Sequence, residues 1–306
     1  DRRFKRPVSP ASWDDIRDAT RFGPAAPQLP SGGMTDSVPV NWNEDCLFLN
    51  VCTPAIDQKK RPVLVWIHGG AYRSGQGAVP WYNGTSFALN GDIVVVSINY
   101  RLGALGFTDL SRFGDDYATS GVNGICDQIK ALEWVRDNIS GFGGDPSKVT
   151  IAGESAGGFS VATLLGCEQA QGLFRRAIPQ SGATHHTLTD DVGKVVADLL
   201  IDELGVESID ELKSASVLDI LKAQSRVDVR YNHMNIGNGV QAFYPVELNE
   251  VLPIPLRESI RAGVGASVPV LTGTNKDENT LFVVEKVSLE KLRYQAKAYG
   301  SESLVE

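Results

Sequence analysis

Five residues constrain this chain more than any other stretch: Gly153-Glu154-Ser155-Ala156-Gly157, which follow the apolar run VTIA and precede a helix-compatible run, FSVATLLG. A serine between a strand and a helix sits in a sharp, strained turn. The residues two before and two after it must be small, so that the strand and helix backbones can approach. Gly153 and Gly157 meet that demand. Such a bend lifts the Ser155 hydroxyl above the sheet edge, and the N-terminus of the following helix brings partial positive charge beside it. Ser155 is therefore expected to be a nucleophile. The plain alternative, a glycine-rich turn after an ordinary strand, weakens once the neighbouring segments are counted.

Upstream, His68-Gly69-Gly70-Ala71 ends the apolar run PVLVWI. Small residues there let backbone N–H groups point into a cavity, and with an elbow downstream the pair reads as an oxyanion hole. Gly70, Ala71 and Ala156 are the expected N–H donors. Further short apolar runs, CLFLNV, IVVVSIN, KVTIAG, RAIPQS and VPVLTG, are bounded by Gly, Pro, Asn or Asp and read as buried strands. In CDQIKALEWVRDNI and the residue before it, Ile125, Ile129, Leu132, Val135 and Ile139 recur at helical spacing, which predicts an amphipathic helix on a sheet. A second helical region is expected over 188–224. Residues 1–45 read as mostly surface loop, apart from a short amphipathic stretch around SWDDIRDA. Alternating strands and helices imply a doubly wound α/β sheet, and no repeat or linker divides residues 1–306, so a single domain is expected.

The formal net charge of −8 argues against phosphate-backbone binding, so nucleic acid is not an expected partner. No apolar run approaches the roughly 20 residues that cross a bilayer. Cys46, Cys52, Cys126 and Cys167 lack the CxxC or Cys/His spacing of a zinc site, and neither metal nor organic cofactor is expected. On one extended strand Cys46 and Cys52 would lie about 20 Å apart, too far to pair. Four buried or unreactive thiols fit a reducing compartment, and a cytoplasmic location is favoured.

At this point the chain resembles the type-B carboxylesterase and lipase family across almost its whole length. DATRFGPAAPQ, EDCLFLNV, PVLVWIHGGAY, NYRLGALGF, DQIKALEWVRDNISGFGGDPSKVTIAGESAGG, GLFRRAIPQSGA and VPVLTGTNKDENTLF carry the likeness. The resemblance implies an α/β-hydrolase fold, with a central mostly parallel sheet flanked by helices. It also implies a serine hydrolase of small carboxylic esters, working as a monomer. The family's acid lies in a G-x-N-K-D-E-G segment, which here reads GTNKDEN, so Glu278 is the implied acid. Asn279 replaces the last glycine and is the next most tolerant residue for positive φ. Ser181 stands where the family often has a serine beside the acid, and Glu154 is expected to hydrogen-bond structurally at the elbow. Ala26 replaces the cysteine common in this loop, and Trp42 lies unlike the choline-binding aromatic of cholinesterases. Bacterial p-nitrobenzyl-esterase-like enzymes are the nearest subgroup.

In the family the order is Ser, Glu, His, yet His68, His185, His186 and His233 all precede Glu278. The expectation is a chain incomplete at both ends that lacks its triad histidine. His68 should support the oxyanion loop, His185 and His186 should lie near the acyl pocket, and His233 should be exposed. The competing expectation is a catalytically silent binding protein or inactive fragment on the same fold.

Overall fold

The computed structural model describes residues 2–30, 40–237, 239–278, 288–290 and 292–293. Five strands form one sheet: β1 (Leu49–Cys52), β2 (Arg61–Ile67), β3 (Val94–Ile98), β4 (Gly144–Glu154) and β5 (Arg176–Gln180). Their order is β1-β3-β2-β4-β5, with β1 antiparallel to β3 and every other pairing parallel. The α-helices that accompany them include α1 (Thr85–Gly91), α2 (Gly103–Phe107), α3 (Asn123–Asn138), α4 (Ala156–Leu165), α5 (Asp190–Leu204), α6 (Ile209–Ser214), α7 (Val217–Met234) and α8 (Leu256–Arg261). This is the mostly parallel, helix-flanked sheet expected of an α/β-hydrolase. None of these helices is long and apolar enough to cross a membrane.

The sheet forms because its central strands are β-branched and covered on both faces. All five residues of β3 are buried, and Val63, Val65 and Ile67 of β2 are 1% exposed or less. Each such side chain contributes about 1.5–3 kcal/mol on burial. The predicted amphipathic helix is α3, and Ile125, Ile129, Leu132, Val135 and Ile139 are all buried in the core.

Register decides where chemistry can occur. Ile67 pairs with Gly153 and Gly153 with Pro179, so β2, β4 and β5 end at one edge of the sheet. The segments after them carry Gly70, Ser155 and Ser181. Ligands of open parallel sheets bind at this carboxyl edge.

Five expectations need correction. VPVLTG forms only isolated bridges, Val270 to Ala177 and Gly273 to Gln180. Pro179 has no N–H to give, so the ladder breaks where that residue should donate. The remaining bonds run from Ala177 N to Pro269 O at 3.1 Å, Leu271 N to Ala177 O at 3.0 Å and Ser181 N to Gly273 O at 3.0 Å. The region expected to be helical over 188–224 is three helices reaching Met234. Gly205 ends α5 in a left-handed cap, while Ser208 and Ser216 cap α6 and α7 by accepting from Glu211 N and Asp219 N. SWDDIRDA forms no helix, and residues 11–22 are all exposed. Nor is the start of the chain mere surface. Phe4 is 1% exposed, and Arg3 donates to the carbonyls of Lys213 and Ala215 at 2.7 and 2.6 Å. Finally, β1 begins only at Leu49, so Cys46 is not on Cys52's strand. Both are free thiols, as are Cys126 and Cys167, and Cys52 alone of the four is only half-buried.

Candidate active site

Ser155 has φ 53° and ψ −122°, a conformation that L-residues rarely adopt, and it stands at the junction of β4 and α4. The close approach that forces this bend can be measured. A Cβ on Gly157 would lie 2.1 Å from the Ile67 carbonyl oxygen, and one on Gly153 would lie 2.5 Å from the Gly157 carbonyl carbon. Only glycine fits at either position. The Ser155 N–H donates to the Gln180 carbonyl at 3.1 Å, which ties the elbow to the end of β5. Ala156 is the first residue of α4, so its N–H has no acceptor within the helix.

The turn after β2 is a run of positive φ: 109° at Gly70, 53° at Ala71 and 57° at Tyr72. The Gly70 carbonyl accepts from Arg73 N at 2.9 Å and Ser74 N at 3.0 Å. Among the described residues neither Gly70 nor Ala71 donates its own N–H. A Cβ on Gly69 would stand 3.3 Å from Ser155 Cβ, so this turn and the elbow are in contact. His68 beneath it is fully buried. Its Nδ1 lies 2.8 Å from Gly69 O, its ring stacks on Tyr100 at 4.5 Å, and burial pushes its pKa down to about 4. It supports the loop as a neutral ring.

Glu278 lies across from the end of β5. Its Oε1 accepts from Ser181 Oγ at 2.5 Å and from Asn275 N at 2.6 Å. The Ser181 hydroxyl, then the Asn275 N–H, hold the carboxyl below its ordinary value against partial desolvation. Ser181 directly follows Gln180, the residue that holds Ser155 N, so one short segment tethers both serine and carboxylate. Asn279 lies outside the described residues. Glu154 departs from expectation: it is exposed, and its carboxylate makes no side-chain hydrogen bond among the described residues. Desolvation and then the nearby Glu278 charge raise its pKa.

Residues 1–304 match the model of the carboxylesterase family. The chain belongs to that family. It is 41% identical to the para-nitrobenzyl esterase of Bacillus subtilis over 285 residues, 92% of this chain and 57% of that protein. A thermophilic PNB esterase superposes with a TM-score of 0.88 at 38% identity, covering 99% of this chain and 63% of the other. The carboxylesterase of Geobacillus stearothermophilus gives 0.82 at 41% identity, covering 95% and 59%. The chain thus spans somewhat under two thirds of the length of these relatives.

The remaining histidines lie on α7 and in the segment after β5. His233 lies exposed in the last turn of α7. His186 stacks on Phe159 with centroids 3.4 Å apart, and His185 packs on His186 at 4.1 Å. Several residues of the site escaped sequence reasoning. Gln28 clamps Gly75 of the turn after β2, donating to its carbonyl and accepting from its N–H, both at 2.9 Å. Its only signal is its place at the end of the resembling segment DATRFGPAAPQ. Tyr72, Phe159 and Tyr244 form an aromatic wall, with Tyr72 and Tyr244 edge-on at 5.1 Å. Nothing in the spacing of Tyr244 announces it.

Proposed function

We propose that this chain carries the acylating machinery of a serine carboxylic-ester hydrolase. Ser155 Oγ attacks the ester carbonyl, and the Gly70, Ala71 and Ala156 N–H groups hold the oxyanion that forms. Glu278, oriented by Ser181, supports a histidine base that takes the Ser155 proton and passes it to the departing alcohol; water then releases the acid. That base is none of His68, His185, His186 or His233. The substrate is a small-molecule carboxylic ester.

The observation that carries the reading is the strained Ser155 backbone at the carboxyl edge of the sheet, beside a turn whose Gly70 and Ala71 N–H groups meet no acceptor among the described residues. Intact donors and an oriented acid favour catalysis over a silent binding role. The test is pre-steady-state hydrolysis of a p-nitrophenyl ester by the full-length gene product and its Ser155→Ala variant. A burst of p-nitrophenol stoichiometric with protein, absent in the variant, is expected. A folded sample with no burst and no turnover would refute the proposal.

A further inference from the structure

The three N–H groups proposed to hold the oxyanion stand on two separate elements: Gly70 and Ala71 in the turn after β2, and Ala156 at the start of α4. They act together only while the two elements stay in register, because a donor works at about 2.7–3.1 Å from the oxyanion and weakens steeply once its alignment is lost. The turn is also under strain. Ala71 and Tyr72 follow one another at positive φ, 53° and 57°, although neither is glycine. Such conformations persist only where the surroundings over-determine them.

Several contacts hold this turn. The Gly103 N–H donates to the Tyr72 carbonyl at 2.6 Å, and Gln28 grips Gly75. The Tyr72 side chain adds an anchor that reaches the element carrying the other donor. Its hydroxyl oxygen accepts from Ser160 Oγ at 3.2 Å, and Ser160 Oγ in turn accepts from Gln128 Nε2 of α3 at 2.9 Å. Ser160 lies four residues along α4 from Ala156, about one turn, so a bond to Ser160 is a bond to the helix whose first residue is Ala156. Tyr72, Ser160 and Gln128 are all 0% exposed, so water does not compete for these bonds. The Tyr72 ring packs on Phe107 at 4.8 Å and on Tyr244 at 5.1 Å, contacts that a phenylalanine would keep. What the hydroxyl adds is direction.

We propose that Tyr72 is a positioning residue for the acylation step, its hydroxyl bond to Ser160 holding the Gly70 and Ala71 N–H groups in register with that of Ala156. Without the bond the strained turn relaxes, and its donors lose their alignment with the oxyanion. The ground-state carbonyl asks less of them and binds as before, so the loss falls on kcat and spares KM. The inference rests on the acylation of Ser155 proposed above.

The test is Tyr72→Phe in the full-length protein, with p-nitrophenyl acetate as substrate and an aryl trifluoromethyl ketone as inhibitor, whose hemiketal with Ser155 places an oxyanion in the hole. In this variant the Ser160 hydroxyl can turn to the carbonyl one helical turn back, so no donor is stranded and the fold is kept. Loss of a whole oxyanion donor costs about 10²–10³ in rate, and a displaced turn should lose part of that: kcat should fall about tenfold, KM should stay within about twofold, and Ki for the ketone should weaken about tenfold. Ser160→Ala should do the same, and the double variant should lose no more than the worse single variant, because both changes remove one bond. An unchanged kcat, a fall confined to KM, an unchanged Ki, or additive losses in the double variant each overturn the role of Tyr72. Should one of the two single variants not fold, kcat and Ki of the other decide. A wild-type protein that neither binds the ketone nor turns over overturns the acylation proposal instead, and this inference with it.

Discussion

Replacing Ser155 by glycine should make the protein more stable than replacing it by alanine, the reverse of the usual order. Both variants lose the hydroxyl, so their difference isolates the backbone. At φ 53° and ψ −122° a residue with a Cβ carries strain, of order 1–3 kcal/mol for such sparsely populated conformations. Alanine retains that strain and glycine releases it. Against this, glycine enlarges the entropy of the unfolded chain, a loss of about 0.4–1 kcal/mol. The balance favours glycine by about 1 kcal/mol. Urea unfolding of the two variants, followed by intrinsic fluorescence, measures it as a difference in midpoint at equal slope. An alanine variant more stable than the glycine one would show that the elbow is not strained, and the claim that the fold forces Ser155 into this turn would fail.

Three further outcomes follow from the same geometry. Gly157→Ala should destabilise by about 1–3 kcal/mol or more, because its Cβ would meet the backbone of Ile67 and His68, which cannot yield as a side chain would; equilibrium unfolding checks it. Asp127→Ala should cost about 3–5 kcal/mol in the same assay, since Asp127 accepts from Arg101 N, Nε and Nη2 at 3.0, 2.8 and 2.7 Å and its loss strands a buried guanidinium. Ser181→Ala should move the titration of the Glu278 carboxyl upward, read by carbon NMR. A carboxyl held low stabilises the fold above its unfolded pKa and loses that contribution as pH falls through the folded value, so without the hydroxyl the contribution is smaller and its loss is complete at a higher pH. An unmoved titration would remove Ser181 as the group that holds the acid low.

The elbow and the five strands were legible because each rests on a local rule: apolar runs bounded by turn residues, and small residues where backbones must touch. The helix α3 was legible from its period. What escaped was set by tertiary contact. The break at Pro179 depends on which strand edge faces Leu271, and no local pattern in RAIPQS reports that. The caps at Ser208 and Ser216 and the glycine at 205 were present in the sequence as stop and start signals, overridden by a helical period that runs through them. Arg3 looks like loop until the end of α6 is in place to receive it, and Phe4 until Asn123 of α3 holds its carbonyl. Within the site, Gly70, Ser155 and Ser181 could be aligned from sequence because they follow strands that end together. Gln28 and Tyr244 act through partners more than 40 residues away, beyond any spacing rule.

An esterase of this design depends on Ser155 being the residue that takes the acyl group. Incubation of the full-length protein with a fluorophosphonate, followed by proteolysis and mass spectrometry, tests this directly. One adduct is predicted, on the peptide carrying Gly153-Glu154-Ser155-Ala156-Gly157, and none in Ser155→Ala. An adduct on another residue, or a folded protein that forms none, would contradict it.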